Sequence, residues 1–140
     1  MELLPKPSTG RGPADCFTGD VWVDPVAQPD GASQLVAAMV RFTPGARTAW
    51  HTHPLGQTLY VTEGVGRIQA EGGDVTEIRP GDVVRIAPGE RHWHGAAPGH
   101  FMTHLAMVQN PTDGTPATAW AEHVTEAEYT APAVRPPAAG

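Results

Sequence analysis

Apolar and polar positions alternate along most of this chain in short runs, and the three-to-four-residue spacing of helices is confined to one late segment. From Gln57 to Glu63, Gln57, Leu59 and Val61 fall on one parity and Thr58, Tyr60 and Thr62 on the other, the mark of a strand with one buried face. The same reading predicts strands over Phe17–Asp24, closed by Asp24-Pro25, over Leu35–Phe42, stopped by Thr43-Pro44-Gly45, and over Arg47–His53, ending at Pro54. Arg67–Glu71 and Val75–Ile78 flank Gly72-Gly73-Asp74, a hairpin turn that exploits the tolerance of glycine for positive φ. Val83–Ile86, His92–Ala96 and Met102–Val108 complete the set. Turn signals recur roughly every eight to twelve residues, which predicts an all-β antiparallel sandwich or barrel. Thr125-Glu126-Ala127-Glu128 fits a capping box and predicts a short helix near Glu126–Tyr129. Residues 1–13 read as an irregular arm, 14–130 as one folded domain and 131–140 as an irregular tail.

Composition narrows the function classes. A chain of 140 residues makes one domain with a real core. Nine Lys and Arg against 15 Asp and Glu give a net charge of −6. Lys6 is the only lysine and the arginines are scattered, so neither nucleic acid nor an anionic membrane surface is an expected partner. Gly (16) and Pro (15) leave little room for long helices. Cys16 is alone, which excludes a disulfide framework within the chain. The opening Met1-Glu2-Leu3-Leu4-Pro5-Lys6 lacks the charged-then-apolar order of a signal peptide, and a cytoplasmic location is expected.

The candidate chemistry lies in His51, His53, Gln57, His92 and His94. Alternation along a strand points His51 and His53 the same way and His92 and His94 the same way, each pair offering two imidazoles on one face. Imidazole suits Mn, Fe, Co, Ni, Cu and Zn, and an amide oxygen from Gln57 suits the harder of these. His104 lies mid-strand in an apolar run with Met102, Ala106 and Val108 on its parity, as a core histidine or as part of a pocket wall facing Phe42, Val40 and Ala38. Ala38, Val40, Phe42, Thr48, His104 and Val108 form the candidate substrate pocket, although parity alone leaves Thr48 and Arg47 unassigned. Trp50 and Trp93 sit at the opposite parity and are expected outside the cavity, while His100, His123 and Cys16 read as surface or packing residues.

Gly45, His51-Thr52-His53, Gln57 and Gly64 resemble the first cupin motif, and Gly81-Asp82-Val83-Val84 with Pro88-Gly89-Glu90-Arg91-His92 resembles the second. The resemblance implies a double-stranded β-helix, a jelly-roll-like barrel with a metal inside. Three positions depart from the family pattern: Gln57 stands where glutamate is usual, the second-motif proline is displaced to Pro88, and Ala96 replaces a frequent asparagine. Gly12-Pro13-Ala14-Asp15, Phe17-Thr18-Gly19, the run Ala46–Leu59, His92–Pro98, Met102–Ala106 and Glu122–Thr125 are similar to the bacterial manganese-dependent cupin hydroxynitrile lyases. That likeness implies His51, His53, Gln57 and His92 as metal ligands and His94 as general base. It also implies a divalent ion, Mn2+ first and Fe2+, Ni2+, Co2+ or Zn2+ next, a small-molecule substrate, and a homodimer or homotetramer.

Three neutral rings and a neutral amide would leave an ion its full charge and favour Lewis-acid work over electron transfer. His94 lies roughly 6–7 Å along the strand from His92, which argues against both binding one ion; it suits an acid–base group with an expected pKa near neutrality, or a hydrogen-bond partner that orients a ligand. The expected reaction is reversible cyanohydrin cleavage. The alternatives are a metal-dependent cupin dioxygenase, which would consume oxygen, and a non-catalytic small-molecule-binding cupin.

Overall fold

The computed structural model describes residues 1–137. In chain order the strands are β1 (Gly10–Arg11), β2 (Phe17–Thr18), β3 (Val21–Ala27), β4 (Leu35–Phe42), β5 (Arg47–Thr48), β6 (His51–Thr52) and β7 (Gln57–Gly64). They continue as β8 (Gly66–Ala70), β9 (Val75–Ile78), β10 (Val83–Ile86), β11 (His92–Ala96), β12 (Met102–Gln109), β13 (Ala119–Trp120) and β14 (Ala133–Val134), with one helix, α1 (Glu126–Tyr129), before the last. One sheet runs β1-β3-β4-β12-β7-β10; the other runs β13-β6-β11-β8-β9-β14, with β5 and β2 joining it at β11. Among the described residues no helix is long and apolar enough to cross a membrane.

The two sheets face each other around Val21, Phe42, Leu59, Val61, Ile78, Ile86 and Met102, all 3 % exposed or less. Each such side chain contributes about 1.5–3 kcal/mol of burial. A second cluster lies on the far side of the second sheet, where Trp50, Val75 and Trp93 pack against Val124 and Tyr129 from the C-terminal segment. Trp50 and Trp93 therefore face away from the cavity, as their parity predicts. The Thr125 hydroxyl and the Glu128 carboxylate close the predicted capping box, and the Tyr129 hydroxyl donates to the Ala96 carbonyl at 2.6 Å. Arg47 stacks over the Tyr129 ring at 4.4 Å, and Arg67 donates to the carbonyls of Tyr129 and Ala131 at 2.8 Å each.

Four segments differ from expectation. Phe17–Asp24 divides into β2 and β3, one in each sheet, because Gly19 turns the chain at φ 78°. β3 then runs through Pro25, which is tolerated because β1 pairs only with Trp22 and Val23, leaving β3 a local edge at the proline. Arg47–His53 divides at Ala49-Trp50, whose backbone bonds instead to Cys16, Ala121 and Glu122. Short strands also lie inside the arm and the tail: Gly10–Arg11 pairs with β3, and Ala133–Val134 runs parallel to β9. Positions 138–140 of the expected tail lie outside the described residues.

Candidate metal centre

The two histidine pairs come together because β11 pairs with β6 in the register His92 to His51. Ring centroids lie 4.2 Å apart for His51 and His92 and 5.0 Å apart for His51 and His53. One ring nitrogen from each of His51, His53 and His92 lies within 4.8 Å of the others. Gln57 enters from β7 after Gly56, whose φ is 78° and where a Cβ would meet the Ile86 carbonyl oxygen at 2.7 Å, so only glycine makes this turn. The Gln57 Oε1 then stands 3.3 Å from His92 Nε2.

Hydrogen bonds fix the protonation of the three rings. His51 Nδ1 meets the Ala49 carbonyl at 2.8 Å, His53 Nδ1 meets Ala117 at 3.0 Å, and His92 Nδ1 meets Glu90 at 2.9 Å. A carbonyl can only accept, so each neutral ring donates through Nδ1 and keeps a lone pair on Nε2, the form a metal ligand requires. His53 Nε2 is buried without a hydrogen-bond partner. The contact between His92 Nε2 and Gln57 Oε1 sets two acceptors against each other, which a shared cation resolves. Burial pushes His51 down to about 2 and His92 down to about 4, with neighbouring imidazoles adding to the effect. Three neutral lone-pair donors and an amide oxygen thus fit a divalent ion.

His94 stacks on His92 at 5.5 Å and 15°, and its Nδ1 lies 2.9 Å from Nε2 of His104. Its own Nε2 has no hydrogen-bond partner. The expected pKa near neutrality does not hold for this ring: complete burial, then the charges of His104, His51, His92 and His53, lower it well below 6.5. His104, whose pKa burial lowers to about 4, is neither an isolated core residue nor only a wall. The link to His94 was not visible in the sequence, because it crosses from β12 to β11 through the barrel interior.

A cavity of about 250 Å3 opens beside these rings. Ala38, Val40, Phe42, Thr48, His104 and Val108 all line it, as do His51, His53, Gln57 and His94, whereas His92 does not. The register of β12 on β4, with His104 opposite Val40 and Ala106 opposite Ala38, builds its aliphatic side. Phe17, Val23, Val36, Ala106, Thr118 and Trp120 also line it and were not anticipated as pocket residues. Ala106 shares the parity of His104 and was within reach of that argument; Trp120, an isolated aromatic in a Thr-, Ala- and Pro-rich stretch, is the signal that an anchor lay there. His100 and His123 are exposed, and Cys16 is half-buried.

The antiparallel barrel with three converging histidines defines the class: residues 38–108 match the cupin domain, and the chain belongs to the cupin family. It is 59 % identical over 122 residues to the (R)-mandelonitrile lyase of Granulicella tundricola, covering 87 % of this chain and 92 % of that one. A cupin-like protein from Thermotoga maritima shares the structure at a TM-score of 0.80 and 39 % identity, covering 92 % of this chain and 95 % of its own. The polyketide cyclase RemF of Streptomyces resistomycificus shares the fold at a TM-score of 0.69 and 21 % identity, over 92 % and 90 % of the two chains.

Proposed function

We propose that this protein is a metal-dependent hydroxynitrile lyase that splits cyanohydrins, mandelonitrile among them, reversibly into a carbonyl compound and cyanide. The observation that carries the reading is the unpartnered Nε2 of His94, held beside three metal-ready histidines in an apolar cavity. The similarity to the Granulicella lyase supports the same chemistry. His51, His53, Gln57 and His92 would hold the ion, with Mn2+ the first candidate. Once bound, a divalent ion supplies Lewis acidity that lowers the pKa of a nearby hydroxyl.

The side chains of the chain carry the rest. When His94 donates Nδ1–H to His104, its Nε2 presents a lone pair to the cavity, and burial keeps that ring neutral. His94 Nε2 takes the hydroxyl proton of the cyanohydrin. The oxygen electron pair closes the C=O double bond, the bond to the nitrile carbon breaks, and its electron pair leaves with cyanide. Protonated His94 then returns the proton to cyanide, and it is a willing donor because its surroundings disfavour the charged ring. In the synthetic direction each transfer reverses.

Protein loaded with Mn2+ is expected to release cyanide and benzaldehyde from mandelonitrile, and His94→Ala is expected to lose at least about a hundredfold in kcat, the scale of general base catalysis. No release above the uncatalysed rate from protein carrying one ion per chain would refute the reading.

A homodimer or homotetramer belongs to the same proposal. Met39, Leu105, Tyr60 and Val83 are directly paired across β4, β12, β7 and β10 on the outer face, with Tyr60 42 % and Val83 65 % exposed. Such an apolar row favours a self-complementary contact. Sedimentation of Tyr60→Arg against the parent chain tests it; an unchanged mass would remove this face from any assembly.

A further inference from the structure

The cavity has two unlike walls. The aliphatic wall comes from β4 and β12, with Val36, Ala38, Val40, Ala106 and Val108. The other is a chain of rings: Trp120 lies 5.7 Å from Phe17, Phe17 lies 6.3 Å from Phe42, and Phe42 lies 5.2 Å from His104. These rings run from the surface to His104, the partner of the proposed base. Trp120 begins the series. Strand β13 pairs it with His51, its ring lies 4.7 Å from that histidine, and it remains 42 % exposed. Every other residue lining the cavity is buried or half-buried.

We propose that Trp120 sets substrate specificity at the cavity mouth, its indole joining Phe17 to receive the aryl group of a cyanohydrin and to limit that group to a single ring. The identity of the substrate rests on the lyase reading above; the wall itself does not. A volume of about 250 Å3 is below the roughly 300–1,000 Å3 of sites for drug-sized ligands, so a fused bicycle competes with the indole for space. Tilted aromatic contacts favour a ring over an alkyl chain of equal area. The backbone of Trp120 is held by its pairing with β6, and its ring packs against His51 and Phe17.

The test uses full-length, metal-loaded protein and two unreactive probes, benzyl alcohol and naphthylmethanol, with affinities measured by calorimetry and metal content by elemental analysis. The parent chain is expected to prefer benzyl alcohol. Trp120→Ala is expected to shift the affinity ratio toward naphthylmethanol by about tenfold, the scale at which apolar pockets discriminate. Trp120→Phe is expected to fall between the two. A ratio that Trp120→Ala leaves within about twofold of the parent, on the scale just given, overturns the proposal. Loss of metal and of both probes from Trp120→Ala and Trp120→Phe alike also overturns it, making the residue a support of the metal ligands. Mandelonitrile cleavage by the parent chain is scored separately: its absence would end the lyase reading while the probe ratio still decides the role of Trp120.

Discussion

Among single side chains, the pairing of His94 with His104 has the widest consequence. In the proposed mechanism His104 fixes which nitrogen of His94 carries hydrogen, so removing it should leave the proposed base present but unoriented. His104→Ala is expected to reduce kcat for mandelonitrile roughly 10–100-fold, the usual effect of deleting an orienting partner, with metal content unchanged. His104→Gln, which can still accept from His94 Nδ1, is expected to recover part of that loss. Equal loss in both variants, or loss of metal, would assign His104 a packing role. The candidate ligand histidines were legible in the sequence because parity along one strand is a local property, and the structure does bring His51, His53 and His92 together. His104 was ambiguous because its partner lies on another strand, and no spacing encodes which strands meet inside a barrel.

Among elements, the stretch leading into β13 has the most influence on the centre. It gives the Ala117 carbonyl to His53 and Trp120 to the cavity, and Arg91 holds its end through ion pairs with Glu122 and Glu71 while stacking on Trp50 at 4.8 Å. Arg91→Ala is expected to lower unfolding stability by about 1 kcal/mol or less, as for other exposed ion pairs. It is also expected to speed metal loss to a chelator between about twofold and tenfold, short of the roughly 10–100-fold effect of removing a direct partner of a ligand. Denaturant titration and chelator kinetics on the same samples measure the two effects, and unchanged release would separate this stretch from metal retention. Strands β4, β9, β10 and β11 were readable to the residue because Gly and Pro punctuate them. β1, β13 and β14 were not, since two residues carry no period and their pairing is decided by the rest of the chain.

At the scale of the whole molecule, the buried imidazoles make the metal-free chain sensitive to acid. Their folded-state pKa values lie below the unfolded value of 6.5, with His92 and His104 at about 4 and His51 at about 2. The unfolded chain therefore binds protons first as the pH falls. The contribution is intact above 6.5, is lost between 6.5 and about 4 through His92 and His104, and continues to fall toward about 2 through His51. The urea midpoint of chelator-treated protein is expected to decrease steadily across that interval; a flat profile would contradict the burial of these rings. The protein was recognisable as a cupin from two short motifs, whereas the extent of its inner aromatic surface was not, because that surface is assembled from both ends of the chain. The same long-range assembly ties endurance to supply. His51 and His53 lie far from His92 along the chain and meet it through the short pairing of β6 with β11, so a captured ion would rivet distant stretches of chain together. Resistance to unfolding would then climb with the free ion concentration, by about 2.7 kcal/mol at a hundred times the dissociation constant, and scarcity of the ion in the surroundings would shorten the lifetime of the molecule as well as silence it.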